Sequence, residues 1–255
     1  MHISVNQNIN IFLGYTFLFL LGSILMRSAG CIVNDIVDRK LDQKVKRTKH
    51  RPLAANLISV KKALLYVIVL CSFAFCILIQ FNLLTIALGL ASMSLAFSYP
   101  YMKRITYWPQ LFLGLTFNWG LIMAWTSINS NLTFDIFILY LAAIFWTLGY
   151  DTIYGAQDIV DDEIIGVKST SIKFKTMLKK FVLICYSISL SVLFVFFLYN
   201  MNSFFFLIPF CAFFLTLFYQ ILSFDKKKPE TCLNAFKINN FSGFYLFLTF
   251  LTLSL

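Results

Sequence analysis

The feature that most restricts this chain is the length and spacing of its apolar runs. Eight stretches, at roughly 9–33, 62–80, 83–99, 108–128, 134–154, 178–199, 203–223 and 238–255, approach or exceed the ~20 residues a helix needs to cross a bilayer. In lipid every backbone N–H and C=O must be satisfied internally, and runs of this length do so as helices. Composition agrees: 60% of the residues are hydrophobic and 30 are Phe, above the ~45–50% apolar content of soluble domains. The expected fold is all-α, an integral membrane bundle of eight transmembrane helices. No repeat, low-complexity tract or Gly/Ser linker divides it, so residues 1–255 read as a single membrane-embedded domain.

The connections between these runs fall into two kinds. Segments 34–61, 100–107, 155–177 and 224–237, with the adjoining span ends, hold every Lys and Arg except Arg27. The alternate connections hold none. The positive-inside rule places the charged side in the cytoplasm. The net charge of +10 is explained by this topology, so no nucleic-acid partner is expected, and no protein partner is legible. Cys31, Cys71, Cys76, Cys185 and Cys211 lie in or beside apolar runs, and Cys232 in a polar loop; without CxxC spacing they read as reduced thiols. His2 and His50 cannot form a metal site between them.

Two stretches on the charged side carry the chemistry. The first is Asn34–Arg51, where Asn34, Asp38 and Asp42 recur every fourth residue and share one face if the helix continues through them. The second is Asp151–Glu163, which sets Asp151, Tyr154, Asp158 and the Asp161–Asp162 pair at helical spacing. Of eleven acidic residues, eight fall in these two stretches. Oxygen donors ringed by cations suit a divalent metal carrying a phosphorylated ligand, since Mg²⁺ is typically held by one or two carboxylates plus substrate phosphates. A solvated basic loop at the membrane surface fits the first stretch alone equally well; the second stretch tips the balance toward a site. Two acidic helices meeting at that face would hold two Mg²⁺ bridging a diphosphate. Lys46, Arg47, Arg51, Lys103, Arg104 and Lys168 lie in the same segments and suit the charge of a leaving diphosphate. Aromatic faces below would shelter an allylic cation, although most of the Phe residues read as packing or lipid-facing. A divalent-cation transporter would instead place ionisable groups near the bilayer midplane, where these spans have no Asp, Glu or Lys.

The motifs resemble those of the UbiA-type membrane prenyltransferases, and within them the branch that prenylates 4-hydroxybenzoate. Met26-Arg27-Ser28-Ala29-Gly30-Cys31 precedes Asn34-Asp35, Asp38-Arg39 and Asp42, followed by Val45-Lys46-Arg47-Thr48 and Arg51-Pro52-Leu53-Ala54. Tyr99-Pro100, Met102-Lys103-Arg104 and Pro109-Gln110 match the next charged segment. Tyr150-Asp151-Thr152, Tyr154, Asp158, Asp161-Asp162, Gly166 and Lys168-Ser169-Thr170 match the second motif. Asn234-Ala235-Phe236, Asn239-Asn240 and Gly243 resemble the start of the last helix. The haem and menaquinone branches share the Asp motifs; the Gly-Cys-x-x-Asn-Asp lead-in and the Asp-Thr-x-Tyr segment are similar to the hydroxybenzoate branch.

The resemblance implies Mg²⁺-dependent transfer of a polyprenyl group from polyprenyl diphosphate to the ring of 4-hydroxybenzoate, ortho to its hydroxyl, as a step toward ubiquinone. It implies Asn34, Asp38, Asp42, Asp158 and Asp162 as metal–diphosphate ligands, with Asp35, Asp151 and Asp161 supporting them by hydrogen bonding or ring deprotonation. It assigns Arg104 to the aromatic carboxylate, Lys46, Arg47 and Lys103 to the diphosphate, and Arg27, Tyr154 and Lys168 to the substrate cavity. It also implies a bacterial inner membrane with the active face cytoplasmic. Against the family's nine helices, the chain is expected to begin at the second, leaving one cavity wall without its helix. Gly155 stands where the family commonly has Ala, a change expected to be tolerated.

Overall fold

A computed structural model describes residues 9–45 and 48–254 of the chain. Among them every regular element is helical: α1 (Ile9–Asp42), α2 (Val60–Leu78), α3 (Leu83–Ile105), α4 (Pro109–Phe117), α5 (Trp119–Asn129), α6 (Phe134–Gly155), α7 (Ile159–Ile165), α8 (Thr170–Lys173), α9 (Leu178–Asn200), α10 (Leu207–Ser223), α11 (Pro229–Lys237) and α12 (Asn239–Leu251), with short 3₁₀ turns between some of them. Seven helical stretches of the described residues are long and apolar enough to cross a membrane. The eighth expected span is α12, whose 13 residues reach only about 20 Å. The all-helical membrane fold is as expected; among the described residues seven of the eight expected spans reach membrane length and α12 falls short of it.

The chain gathers into two compact units, one from Met1–Pro100 and Met123–Asn131, the other from Tyr101–Ile122 and Leu132–Leu255. In the first, α1 packs along α2. Small side chains, Ala29, Ala63 and Ala74, are buried there, as expected where helices approach closely in lipid. Phe81 closes the far end, its ring 5.4 Å from Tyr15 and 4.9 Å from Phe19. Asn82 then starts α3: its side-chain oxygen accepts from the Thr85 N–H at 3.0 Å, and its amide donates to the Thr126 carbonyl at 2.7 Å. A polar residue at the membrane boundary thus joins the start of α3 to the end of α5.

The second unit is built on α6 against α9, with α10 on α12 and α4 along α6. Its core is aromatic, with Phe197, Phe206, Phe213 and Phe224 buried. Gly149 lets α6 and α9 meet. A Cβ there would lie 2.3 Å from Cε1 of Tyr186, a ring only 1% exposed. The Tyr186 hydroxyl donates to Oε1 of Gln220 at 2.5 Å, and the Gln220 amide reaches Ser242 Oγ at 3.1 Å and Asn239 Oδ1 at 3.3 Å. Trp146 Nε1 also donates to Asn239 Oδ1, at 3.2 Å. Buried polar groups must be paired, and here one connected set ties four helices.

Three elements differ from the sequence-based expectation. The first helix continues past residue 33 to Asp42, carrying the acidic stretch with it. The third was expected to stop at Tyr99, yet α3 passes through Pro100 and ends at Ile105. Pro removes one i→i−4 bond but does not force a stop where the remaining backbone is satisfied by its surroundings. Lys103 and Arg104 therefore stand on a last helical turn, where cations oppose the negative end of the helix dipole. The expected fourth span is two helices, broken at Asn118. Its side-chain amide donates to the Gly114 carbonyl, which also accepts the Asn118 backbone N–H, and to Thr147 Oγ1, both side-chain bonds at 2.8 Å.

Candidate functional site

The end of α1 places Asn34, Asp38 and Asp42 one above another, as their spacing predicts. Asp38 is 1% exposed and Asp42 8%. Both carboxylates act on Asp35 through space. Beyond Asp42 the chain turns back beneath the helix. Thr48 Oγ1 donates to the Asp42 carbonyl at 3.2 Å, and Gln43 Nε2 to the Ala54 carbonyl at 3.0 Å. Arg39 donates to Asn56 Oδ1, and Leu53 and Ala54 are buried. This fold-back delivers Arg51 to the carboxylates: Nη1 donates to Asp35 Oδ1 at 2.8 Å and to Asp42 Oδ2 at 3.1 Å. The loop that sequence reading leaves as a run of cations is a strap held by its own hydrogen bonds. Lys46 and Arg47 lie outside the described residues. Arg27 is exposed on α1, two turns before Asn34.

The second acidic stretch begins on α6 and crosses a 3₁₀ turn, Ala156–Asp158, before α7. Asp151 sits near the end of α6, Asp158 closes the turn, and Asp161 and Asp162 occupy the first turn of α7; all four are half-buried. The 3₁₀ turn departs from the uniform helical spacing expected there. The ring of Tyr154 packs 4.6 Å from that of Phe236, which also meets Tyr150 at 5.8 Å.

Beneath this stretch lies a polar cage. Thr152 Oγ1 and Thr170 Oγ1 are 2.7 Å apart, Ser171 Oγ donates to the Thr152 carbonyl at 2.7 Å, and the Thr170 N–H donates to Gln110 Oε1 at 2.9 Å. Gly155 leaves the room for it: a Cβ would stand 2.8 Å from Ser171 Oγ and 3.3 Å from Gln110 Nε2. The same docking fixes Lys168, whose N–H donates to the Lys103 carbonyl at 2.8 Å and whose Nζ donates to the Ile105 carbonyl at 3.1 Å. Lys168 also lies 5.6 Å over the Tyr107 ring, and Arg104 lies 6.0 Å from that of Tyr101. Lys103, Arg104 and Lys168, distant in sequence, thus belong to one segment pair.

Among the described residues, no group of three or more His, Cys, Asp or Glu side chains converges tightly enough to form a protein-only metal cage. Mg²⁺ is ordinarily held by one or two carboxylates together with substrate phosphates, so the donors to weigh are the few oxygen side chains of each stretch. The donor set is chemically suitable: oxygen ligands throughout, with Asp35 and Asp42 already drawing a cation, Arg51, between them. Sequence reasoning missed the roles of Gln110, Thr152, Thr170 and Ser171. A Gln one residue into an apolar run was the available signal, since a buried amide demands partners.

The sequence and fold were compared with known proteins. Residues 3–248 match the family model described as the UbiA prenyltransferase family. The chain is 41% identical over 235 residues to the mitochondrial 4-hydroxybenzoate polyprenyltransferase of Bos taurus, a match covering 91% of this chain and 62% of that protein. It is 48% identical over 164 residues to the protein of the same description from Caenorhabditis elegans, covering 64% of this chain and 46% of that one. It is 37% identical over 238 residues to the 4-hydroxybenzoate octaprenyltransferase of Francisella tularensis subsp. novicida, covering 92% and 83%. The chain spans about half to three-fifths of the length of the first three curated relatives, 46%, 62% and 55%. In fold it resembles a UbiA homologue of Aeropyrum pernix, with TM-score 0.77 at 20% identity over 91% of this chain and 88% of that one. It also resembles a UbiA homologue of Archaeoglobus fulgidus described with GPP and Mg²⁺ bound, with TM-score 0.71 at 18% identity, covering 94% and 87%. With the family model matched across nearly the whole sequence and the same fold in the solved homologues, this chain belongs to the UbiA prenyltransferase family.

Proposed function

We infer that this chain transfers a polyprenyl group from polyprenyl diphosphate to the ring of 4-hydroxybenzoate. The observation that carries the reading is the face of Asn34, Asp38 and Asp42 at the end of a membrane-length helix, two of its carboxylates nearly buried. Carboxylates withdrawn from water need cations. Arg51 answers part of that need at Asp42, and a diphosphate arriving with divalent metal would bring further positive charge to the same face. The names of the relatives, 4-hydroxybenzoate polyprenyl- and octaprenyltransferases, support the acceptor.

In the reaction the allylic C–O bond breaks and its electron pair leaves with the diphosphate. The ring carbon ortho to the hydroxyl supplies the pair for the new C–C bond, and the ring proton passes to a carboxylate. Asn34, Asp38 and Asp42 on one stretch, and Asp158 and Asp162 on the other, are the residues that would hold the metal and diphosphate. When bound, Mg²⁺ supplies the positive charge that draws electrons toward the leaving diphosphate. Lys46, Arg47, Lys103 and Lys168 add charge at the same group. Asp35, Asp151 and Asp161 orient the ligands or take the ring proton. Arg104 pairs with the benzoate carboxylate, for which a guanidinium fork is suited. Arg27 lines the substrate cavity, and Tyr154 offers an aromatic face to the developing cation.

In this reading residues 1–255 act as a single prenyltransferase domain, which the family match over residues 3–248 supports. The confinement of Lys and Arg to one set of connections supports a cytoplasmic charged face, and the bacterial relatives support a bacterial inner membrane. The test is to incubate membranes carrying the full chain with labelled polyprenyl diphosphate, Mg²⁺ and a panel of acceptors. Prenylated 4-hydroxybenzoate that disappears in EDTA is the expected product. Transfer to haem or another aromatic in its place, or no transfer, overturns the assignment.

A further inference from the structure

In the second unit, away from the residues assigned above, two connections bring six lysines together. Lys175, Lys179 and Lys180 come from the end of the α8 segment and the first turn of α9; Lys226, Lys227 and Lys228 follow α10. The two sets touch: Lys226 Nζ donates to the Lys175 carbonyl at 2.7 Å, and Lys179 Nζ to the Leu222 carbonyl at 3.3 Å. Three acidic residues lie nearby. Glu163 pairs with Lys175 at 2.7 Å, the Asp225 carboxylate accepts the Lys227 N–H at 2.9 Å, and Glu230 is exposed. Ammonium groups remain in excess.

The tip that carries Lys226–Lys228 is built rather than loose. The Asp225 N–H donates to Thr231 Oγ1 at 2.8 Å, and the same hydroxyl donates to the Lys228 carbonyl at 2.7 Å. The Lys228 N–H donates to the Asp225 carbonyl at 2.8 Å. Phe224 and Cys232 are buried on either side. Asp225 and Lys228 thus have both backbone N–H and C=O bonded within the turn, and three consecutive lysines are left exposed. Below them the helices turn a bare apolar surface outward: Leu183 and Ile184 one turn on from Lys179 and Lys180, and Tyr219 and Leu222 before the tip. The lysines therefore stand one helical turn from an exposed apolar band on two helices of membrane length.

We propose that this lysine surface binds the phosphate groups of anionic phospholipids in the surrounding leaflet. Four to eight cations directly beside membrane spans have the density at which anionic headgroups are retained, and long lysine stems reach the headgroup layer while their methylenes stay on apolar surface. The apolar band below selects a phosphate that carries acyl chains over one free in solution. The proposal concerns residues outside the prenyl-transfer assignment and stands or falls without it.

The test uses the full chain in detergent micelles mixed with phosphatidylglycerol and phosphatidylcholine, with retained lipid quantified by mass spectrometry. The wild-type chain should retain phosphatidylglycerol in preference to phosphatidylcholine. The Lys226→Gln/Lys227→Gln/Lys228→Gln variant should lose that preference by roughly 100-fold, taking about fivefold per lysine. The matching Lys→Arg variant should keep it, and prenyl transfer by both should be unchanged. Equal phosphatidylglycerol retention by the wild-type and Gln variants overturns the proposal. So does displacement of the lipid by stoichiometric inorganic diphosphate, which would make the surface a site for soluble anions.

Discussion

Arg51 is the residue whose removal says most about the acidic face. It makes two charge-assisted hydrogen bonds, to Asp35 at 2.8 Å and to Asp42 at 3.1 Å. Its side chain is 34% exposed and that of Asp35 is 27%, so water screens this pair and it contributes about 0.5 kcal/mol. The Asp42 side chain is 11% exposed and keeps more of the worth of a charged hydrogen bond, ~1.5 kcal/mol. Arg51→Gln should therefore destabilise the chain by about 2 kcal/mol, a fall of about 4–8 °C in Tm at this size. The deficit should depend on metal. With Arg51 gone, carboxylates that repel one another lack their resident cation, and a divalent ion has more to gain there. Thermal unfolding of detergent-solubilised wild-type and Arg51→Gln chains, in EDTA and then in Mg²⁺, measures both effects. Mg²⁺ should raise the variant's Tm by more than the wild type's. Equal Tm values in EDTA, or equal increments with Mg²⁺, would refute the view that Arg51 and metal answer the same charge.

Asp38→Ala and Asp158→Ala should each reduce prenyl transfer below detection while leaving membrane insertion and expression intact; near-normal turnover by either removes that stretch from the site. Arg104→Ala should weaken use of 4-hydroxybenzoate at least tenfold more than binding of the prenyl diphosphate, and equal loss of both would reassign the residue. Gly149→Ala gains ~1 kcal/mol of helix propensity but drives a Cβ to 2.3 Å from the tethered Tyr186 ring, so a net loss of about 1–2 kcal/mol is expected as a lower Tm; a higher Tm would show that the α6–α9 contact yields. Burial raises the Cys232 thiol above its usual range, opposed by the Thr231 hydrogen bond and reinforced by Asp225. The folded state thus holds that proton more tightly than the unfolded one, so the stabilisation is complete below the ordinary thiol range and fades as pH rises through the folded pKa. Replacing Cys232 by Ser should flatten that alkaline decline in Tm.

What the sequence makes legible here is whatever depends on local period. Asn34, Asp38 and Asp42 can be placed on one face because helical spacing alone decides it, and the helix does run on to Asp42. The apolar runs locate most of the spans for the same reason. Proline misleads at residue 100, because a local rule about one missing N–H is overridden by the helix on both sides. Asn118 hides in an apolar run: nothing in its neighbours announces that its amide will reach Thr147 at the junction of two helices. The cage of Gln110, Thr152, Thr170 and Ser171 needs three segments brought together, and no window of sequence contains it. Arg51 could be read as a cation but not as the partner of Asp35 and Asp42, because that pairing is made by the fold-back of the strap.

The helix junction at Asn118 also constrains how this sequence can drift. One side chain closes the Gly114 carbonyl and reaches Thr147, 29 residues further along the chain. Replacing Asn118 with an aliphatic residue takes this partner from Thr147, while the backbone N–H at 118 keeps its bond to the Gly114 carbonyl. Position 147 is not free either, since a larger apolar residue there would meet the amide it now satisfies. The two positions form a heritable pair: in descendants of this chain they are expected to persist together or change together, whatever happens at the lipid-facing positions around them.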